Sequence, residues 1–517
     1  MQIQNVNEPF NYGNSVISQD EAMRAGRVAK VLGYWRMYLG NHWESEEVDI
    51  DKPTISRNKI KTIINKIITH AVGRSPYVNY YNEEIESLLK PYVDLLLENS
   101  GGMGILAYDT FLHGCVAADA FIKAVYDSTS KSVKLQVQES HLVDPYYDYI
   151  DNSIFTPDMV VLKYYKTTRK ITDKGTVSQT LAEYKEIWDK DNLNVFIDGE
   201  KSSPDSGPNL LQKVPFIHIR NQIAEKNTFG MSDVADMEGL NLLLNNSLRG
   251  LNDIVDYMGE PWMLAYGYKI GEMDKNGARC LSNLPPKTDG AATEFLSLDT
   301  DLPATLNWIK MLEEGIHEQG GVPLSAANGK THMSNVSGTA YHYDMYPITE
   351  TVDRKLLTYQ PGLGKAIELG LELMFQAARK DKSVPFKDIL TLPEKINAIY
   401  KGTNRPELMS KNWASVVVEF NDYLQKDEMT RTTNTISKVN GKLLSKRTAM
   451  KELGVVNIEQ ELEYIKTETE QENTMLTKQN NSGSNEVKND SKEKSSSPYE
   501  KDNNDAMRKV EKDNAKK

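Results

Sequence analysis

Asp233, Asp236 and Glu238 stand close together, and three carboxylates on one helix could hold a divalent metal for phosphodiester cleavage. No His or Lys partner lies near them in the sequence, which weakens a nuclease reading. Asp253 and Asp256, at i and i+3, could share a cation, but a solvated or intersubunit polar face explains them better. Asn328–Gly329–Lys330–Thr331 ends like a phosphate-binding loop. The Gly that should precede the Gly–Lys pair by five residues is missing, and no buried strand leads into the segment. Ser100–Gly104 is glycine-rich but follows a helix, so it is not a dinucleotide fingerprint. There is no H-E-x-x-H, no G-x-S-x-G, and no Ser, His and Asp set of catalytic character. His218 alternates with Ile217 and Ile219 and reads as a core or interface side chain. The sequence therefore points to no catalytic residue, no metal site and no cofactor.

The acidic cluster opens a long helix, Ser232–Tyr257. Met237, Leu240, Leu244, Leu248, Leu251 and Val255 form one stripe at 100° per residue, and Glu238, Asn241, Asn245, Arg249, Asn252 and Asp256 form a polar stripe beside it. Ser232 offers an N-cap, and Asp233 and Asp236 suit the positive end of the helix dipole. At 1.5 Å per residue the helix spans about 39 Å. Gly239 and Gly250 each cost on the order of 1 kcal/mol against Ala. A helix of this length and polarity needs neighbours on more than one side, and its polar face (Asn241, Asn245, Arg249, Asp253, Asp256) is free to meet another subunit or water.

The chain has 517 residues, a net charge of −12 and two cysteines without a shared motif. That length suggests about three domains. The cysteines exclude a disulfide framework, and the charge argues against a tight grip on nucleic acid. No apolar run approaches the roughly 18 residues of a membrane span, and the N-terminus lacks the basic start and apolar stretch of a signal peptide.

In chain order, helices are expected near 19–38, 58–72 (apolar at Ile60, Ile63, Ile64, Ile67, Ile68, Ala71 and Val72), 82–98, which Pro91 must kink or divide, and 104–118. The period then changes to two: AFIKAVYD and SVKLQVQES form a hairpin, and MVVLKYYKTTRKI, LAEYKEIWD and LNVFIDGE form a second antiparallel set. Lys174–Gly175 and Lys190–Asp191 are its turns, and VPFIHIRNQ is the last strand. After the long helix, Glu260–Thr300 fits two or three short strands with a turn at Lys275–Gly277, and a second helix begins near Asp301. A polar loop follows, then a helix over about 336–380 that Pro347 and Pro361 must kink or break. The chain ends in helices from Lys426, with Asn457 as a cap, and a disordered tail.

The sequence resembles the portal (head-to-tail connector) proteins of tailed bacteriophages, of the long-tailed siphophage type. The resemblance is carried by YWRMYLGNHW at 34–43, NKIKTIINKIITHAVGRSP at 58–76, FIHIRNQ…FGMSDVADMEGLNLLLN at 216–245, GLNDIVDYMGEPWMLAYG at 250–267, GGVPLSAANGKTHMSNVSGTAYHYDMYP at 320–347 and LLSKRTAMKELGVVNIEQELEYI at 443–465. It is collinear to about residue 466, and no single motif is diagnostic.

It implies a mostly helical α+β subunit of wing, stem, clip and crown, in a dodecameric ring around an axial channel at one capsid vertex. Double-stranded DNA would be driven in through the ring by the terminase large subunit and later leave through it. A head-completion adaptor would dock on the ring, and scaffold and major capsid protein would surround it. The location would be the virion, and the host cytoplasm during assembly. The mapping implied is a flexible N-terminus (1–19), wing (20–230), first stem helix (231–257), clip (258–300), second stem helix (301–320), channel loop and kinked tunnel helix (321–380), second wing part (381–425), crown (426–479) and tail (480–517). Lys330, Thr331, His332, Ser334 and Asn335 would lie in the loop nearest the DNA, with Lys330 and His332 touching phosphate. An acidic channel would spare DNA the counterion-release affinity that makes it stick. The alternative is another capsid-associated structural protein, a minor head protein or a shell subunit.

Overall fold

The computed structural model describes residues 21–43, 55–147, 155–171, 177–223, 228–259, 263–267, 280–288, 290, 292–295, 302–328, 343–402, 412–421, 428–455, 458 and 460–470. The expected turns at Lys174–Gly175 and Lys275–Gly277, the cap Asn457, the segment 1–19 and the tail lie outside them. The chain divides into two compact units, residues 1–425 and 426–517.

The first unit is built around a helical layer on a small sheet. Among the described residues its α-helices are α1 (Glu21–Leu39), α2 (Lys59–Val72), α3 (Glu83–Asn99), α4 (Met103–Ala117), α5 (Asp233–Gly259), α6 (Leu302–Gln319), α7 (Leu324–Asn328), α8 (Tyr346–Lys380) and α9 (Leu392–Gly402). The isoleucine stripe of α2 is fully buried, as its spacing requires. Pro91 sits inside α3 without dividing it.

Strand β1 (Tyr77–Asn79) pairs with a distant late strand, described below. Strands β2 (Asp119–Asp127) and β3 (Ser132–Gln138) form the expected hairpin. A second sheet runs through β4 (Val143–Tyr146), β5 (Met159–Ile171), β6 (Val177–Trp188), β7 (Asn192–Ile197) and β8 (Glu200–Lys201), with β9 (Gly207–Pro208) also on β7. Strand β10 (Phe216–Arg220) joins neither neighbour in sequence; it returns to β2, with His218 opposite Phe121 and Arg220 opposite Asp119. A separate sheet has β11 (Met263–Tyr266) between β12 (Cys280–Leu284) and β13 (Ala292–Phe295). The late strand is β14 (Val417–Glu419), antiparallel to β1.

The main core lies where α8 crosses the β10–β2–β3 sheet and meets α2, α3 and α4. Glycines set these approaches. A Cβ at Gly370 would fall 2.6 Å from Leu96, and one at Gly362 2.6 Å from Ile219. A smaller cluster of Phe121, Val143, Val160, Leu162, Val214 and Phe216 fills the space between the two sheets. There Lys123 reaches Glu186 at 2.7 Å, and Trp188 and Tyr164 donate to the same carboxylate. Burial alone would raise the Glu186 pKa, but the Lys123 charge and these donors outweigh it and hold it below the usual range.

One expectation needs correcting. Pro347 does not interrupt the long helix; it occupies the first turn of α8, where its missing N–H costs nothing. Pro361 does lie inside α8, on an exposed position.

The second unit contains α10 (Glu428–Asn440) and α11 (Lys446–Glu452), with helix again at 460–470. Gly454 takes the left-handed conformation, φ +83°, where the chain turns after α11.

Candidate functional site

The feature that organises the first unit is the pair α5 and α6 with the long helix α8. Val234, Met237 and Leu244 of α5 are fully buried, as is Ile316 of α6, with Ile309 and Leu312 nearly so. The pair is antiparallel. Met237 lies against Gly320 and Leu240 against Gly315, so the start of one helix meets the end of the other. Gly321, at φ +64°, turns the chain after α6, and Thr351 of α8 leaves it no room for a Cβ.

The base of α5 is fixed by a buried polar network. Lys355 of α8 lies 2.7 Å from Asp233, and the two side chains are 1% and 6% exposed. Lys355 also donates to Asn221 Oδ1 at 2.8 Å, as does the Tyr359 hydroxyl at 2.9 Å. The Asn221 amide donates to Asp233 and to the Met231 carbonyl. Gln222 adds a further donor to Asp233. Burial would lower the Lys355 pKa, but the Asp233 carboxylate overcomes this and holds the ammonium above its usual value. Burial pushes the neighbouring Cys115 thiol and Tyr359 hydroxyl up, so both stay protonated. Ser232 Oγ accepts from Val234 N–H as the expected cap and donates to the Val116 carbonyl.

His218 belongs to the same region and is the satisfied core side chain its strand pattern implies. Its Nε2–H donates to Asp119 at 2.8 Å, and Nδ1 accepts from the Tyr147 hydroxyl at 2.6 Å. Asp119 also accepts from Gly230 N–H. A Cβ at Gly230 would fall 2.5 Å from the Ala118 carbonyl oxygen, so only glycine fits there.

One turn and more along α5, the expected polar face turns inward. Asn241 and Asn245 are completely buried. The Asn245 amide donates to His42 Nδ1 at 2.6 Å, while its oxygen accepts from the backbone N–H of Arg57. Asn241 accepts from Lys59 N–H at the start of α2. His42 donates through Nε2 to the Met37 carbonyl, and burial holds its pKa below the usual value. Arg249 lies over the Trp43 ring at 5.6 Å. Asn241 and Asn245 therefore bind α5 to the chain's own α1–α2 segment and are closed to water, while Arg249 is half-buried. Asp253 and Asp256 are exposed, and Asp256 accepts from Asn252. Arg57 and Lys59 pair with Glu313 of α6, closing the anchor around the helical pair.

Asp233 is committed to Lys355, and no group of three potential metal ligands converges among the described residues. The loop residues Lys330, Thr331, His332, Ser334 and Asn335 lie outside the described residues. Sequence reasoning missed Lys355, Asn221 and His42, because their role is visible only once distant segments meet. Among the described residues no helix is long and apolar enough to cross a membrane.

The far half of the helical pair is different in character. There Val255 and Met258 of α5 and Leu306 and Trp308 of α6 are exposed, and nearer the middle so are Leu243 and Met311, Met311 at 62%. A Cβ at Gly239 or Gly250 would meet nothing within 4 Å. The helical pair thus has an anchored base and exposed apolar side chains towards its far end.

The family comparison agrees: the chain belongs to the phage portal protein family, SPP1 Gp6-like, whose profile matches residues 144–475. It is a structural family, and the chain is a phage portal, or head–tail connector, protein. Comparison with curated proteins gives no match. Among solved structures, the chain is similar to one from the virion of a native gene transfer agent particle, at 11% identity and TM-score 0.39, covering 83% of this chain and 98% of that one. A chain from the neck of the native particle, computed with C12 symmetry, matches at 12% identity and TM-score 0.39, covering 76% and 89%. One from the neck of the empty particle, computed with C6 symmetry, matches at 12% and 0.37, covering 72% and 90%.

Proposed function

We propose that this portal protein closes into a ring, of twelve subunits as the family resemblance implies, around a channel for double-stranded DNA at one capsid vertex. In this reading α5 and α6 are the stem and 258–300 is the clip, which faces the terminase large subunit and later the adaptor. Residues 20–230 and 381–425 form the wing, 321–380 the channel loop and tunnel helix, and 426–479 the crown, within a shell built with scaffold and major capsid protein. The observation that carries the reading is the exposed apolar far half of the α5–α6 pair. Large uncovered apolar surface marks an interface, and side-to-side contacts between like subunits close into rings. Correction of the α5 polar face moves the intersubunit contact from Asn241 and Asn245 to Leu243, Val255, Trp308 and Met311. The net charge of −12 suits a conduit that DNA must slide through, with Lys330 and His332 of the channel loop as the phosphate contacts. Negative-stain microscopy of the purified protein should show rings with an axial hole, and deletion of 328–336 should impair packaging while leaving rings intact. Protein that stays monomeric under all conditions refutes the ring, and normal packaging by the deletion variant refutes the role of the loop.

A further inference from the structure

The β5–β6 hairpin outruns its own sheet. Strand β4 accompanies β5 only as far as Leu162. On the other side the last backbone bonds from the β7 side join Asp198 to Glu183. Beyond these points Lys166–Ile171 and Val177–Ala182 pair only with each other among the described strands, and Lys163–Tyr165 have β6 alone as a neighbour. At roughly 3.3 Å per residue the ribbon free on both edges reaches about 20 Å. A two-stranded ribbon standing alone is marginal in water, so one of this length needs a surface to lie on.

Its two faces differ. On the inner face, Tyr164 packs on the cluster between the sheets, and Lys166 lies over the Tyr184 ring at 5.3 Å. On the outer face, Tyr165 lies opposite Glu183 and Thr167 opposite Leu181. Tyr165 and Leu181 are thus diagonal neighbours, close enough to form one apolar spot. Tyr165 is 69% exposed and Leu181 63%. By sequence, Lys163–Glu183 has five basic residues against two acidic ones, in a chain of net charge −12.

We infer that this ribbon is an arm that lies, by its Tyr165–Leu181 face, on the wing of a second copy of this chain, the next subunit in the ring. The inference rests on the ring reading above. Charge selects an acidic partner, which every other copy of the chain supplies. The apolar spot selects a protein surface over duplex DNA, whose outer surface is phosphate. The contact is between unlike surfaces, the heterologous kind that a ring closes. Lysines along an edge disfavour strand addition, so the face and not the edge makes the contact.

The test places the photocrosslinking residue p-benzoylphenylalanine at position 165 of the full chain. Rings are assembled from isotope-labelled and unlabelled chains mixed before assembly. Ultraviolet light is expected to give covalent dimers whose crosslinked peptides join labelled to unlabelled chains and map within 20–230 or 381–425. The variant Y165S/L181S, checked by circular dichroism for an unchanged fold, is expected to raise the protein concentration at which half the chains are in rings by about tenfold or more. Rings that form normally but crosslink only within one chain, or not at all, overturn the arm assignment and leave the ring standing. Crosslinks in assembled particles to a different virion protein, with none between copies, overturn it as well. Absence of rings in the unsubstituted protein overturns the assembly itself and the arm's partner with it.

Discussion

Lys355→Met isolates the ion pair that ties α8 to the base of α5. The substitution keeps the length and apolar stem of the side chain but leaves the Asp233 carboxylate buried without its counter-charge, with the Asn221 and Gln222 amides still donating. Removing one partner of a buried pair costs about 3–5 kcal/mol. Unfolding entropy of about 2.1 cal/mol/K per residue, over a compact unit spanning residues 1–425, gives about 0.9 kcal/mol/K. The expected fall in melting temperature is therefore about 3–6 °C, read by calorimetry or circular dichroism. Because the pair is buried, the fall should hardly change between low and high salt. Asp233→Asn alone should also destabilise, whereas the double variant should be less destabilised than the sum, with a coupling of about 2 kcal/mol or more. A melting temperature within about 1 °C of the parent, by the same scaling, or strictly additive single variants, would refute the account of Lys355 as the anchor.

Asn245→Leu removes the partner of His42 and of the Arg57 N–H; a loss of about 1–3 kcal/mol is expected in denaturant unfolding, and an unchanged midpoint would contradict the inward polar face. Gly250→Leu meets open space in the single chain. Its fold should be unchanged by circular dichroism while rings fail or loosen in negative stain; normal rings would remove Gly250 from the proposed interface. Burial holds the pKa values of His42, His113, His141 and His317 below the ordinary value. The unfolded chain therefore binds protons first, so stability is full above about pH 6.5 and falls as pH drops below it. A melting temperature that is flat or rising from pH 7 to pH 5 would count against these histidines being neutral in the fold.

Much of the architecture is written in local pattern. The α2 isoleucines, the β2–β3 hairpin and the two helices flanking a small insertion follow from residue spacing alone, because burial on one side imposes its period on the sequence. The pattern fails where partners come from far along the chain. A helical wheel shows that Asn241 and Asn245 are polar, but polar side chains meet water and buried backbone donors equally well. Only the arrival of His42 and the start of α2 decides between them. Likewise β10 reads as a strand, yet nothing local says that it returns to β2. Lys355 looks like an ordinary surface lysine in a long helix until Asp233 is brought beneath it. Pro347 misleads for a different reason: a proline inside a helix and one opening it differ only by where the preceding turn ends.

The helix α5 is held along its first half. That half is pinned by Asp233, Asn241 and Asn245, while the last turns are largely exposed. Mechanically the part beyond Asn245 is a cantilever about 21 Å long, at 1.5 Å per residue. Rocking it by about 5° at Asn245 moves the free end by about 1.8 Å over that length. A small adjustment of the His42–Asn245 joint therefore becomes, at the far end of the helix, a displacement large enough to make or break a side-chain contact.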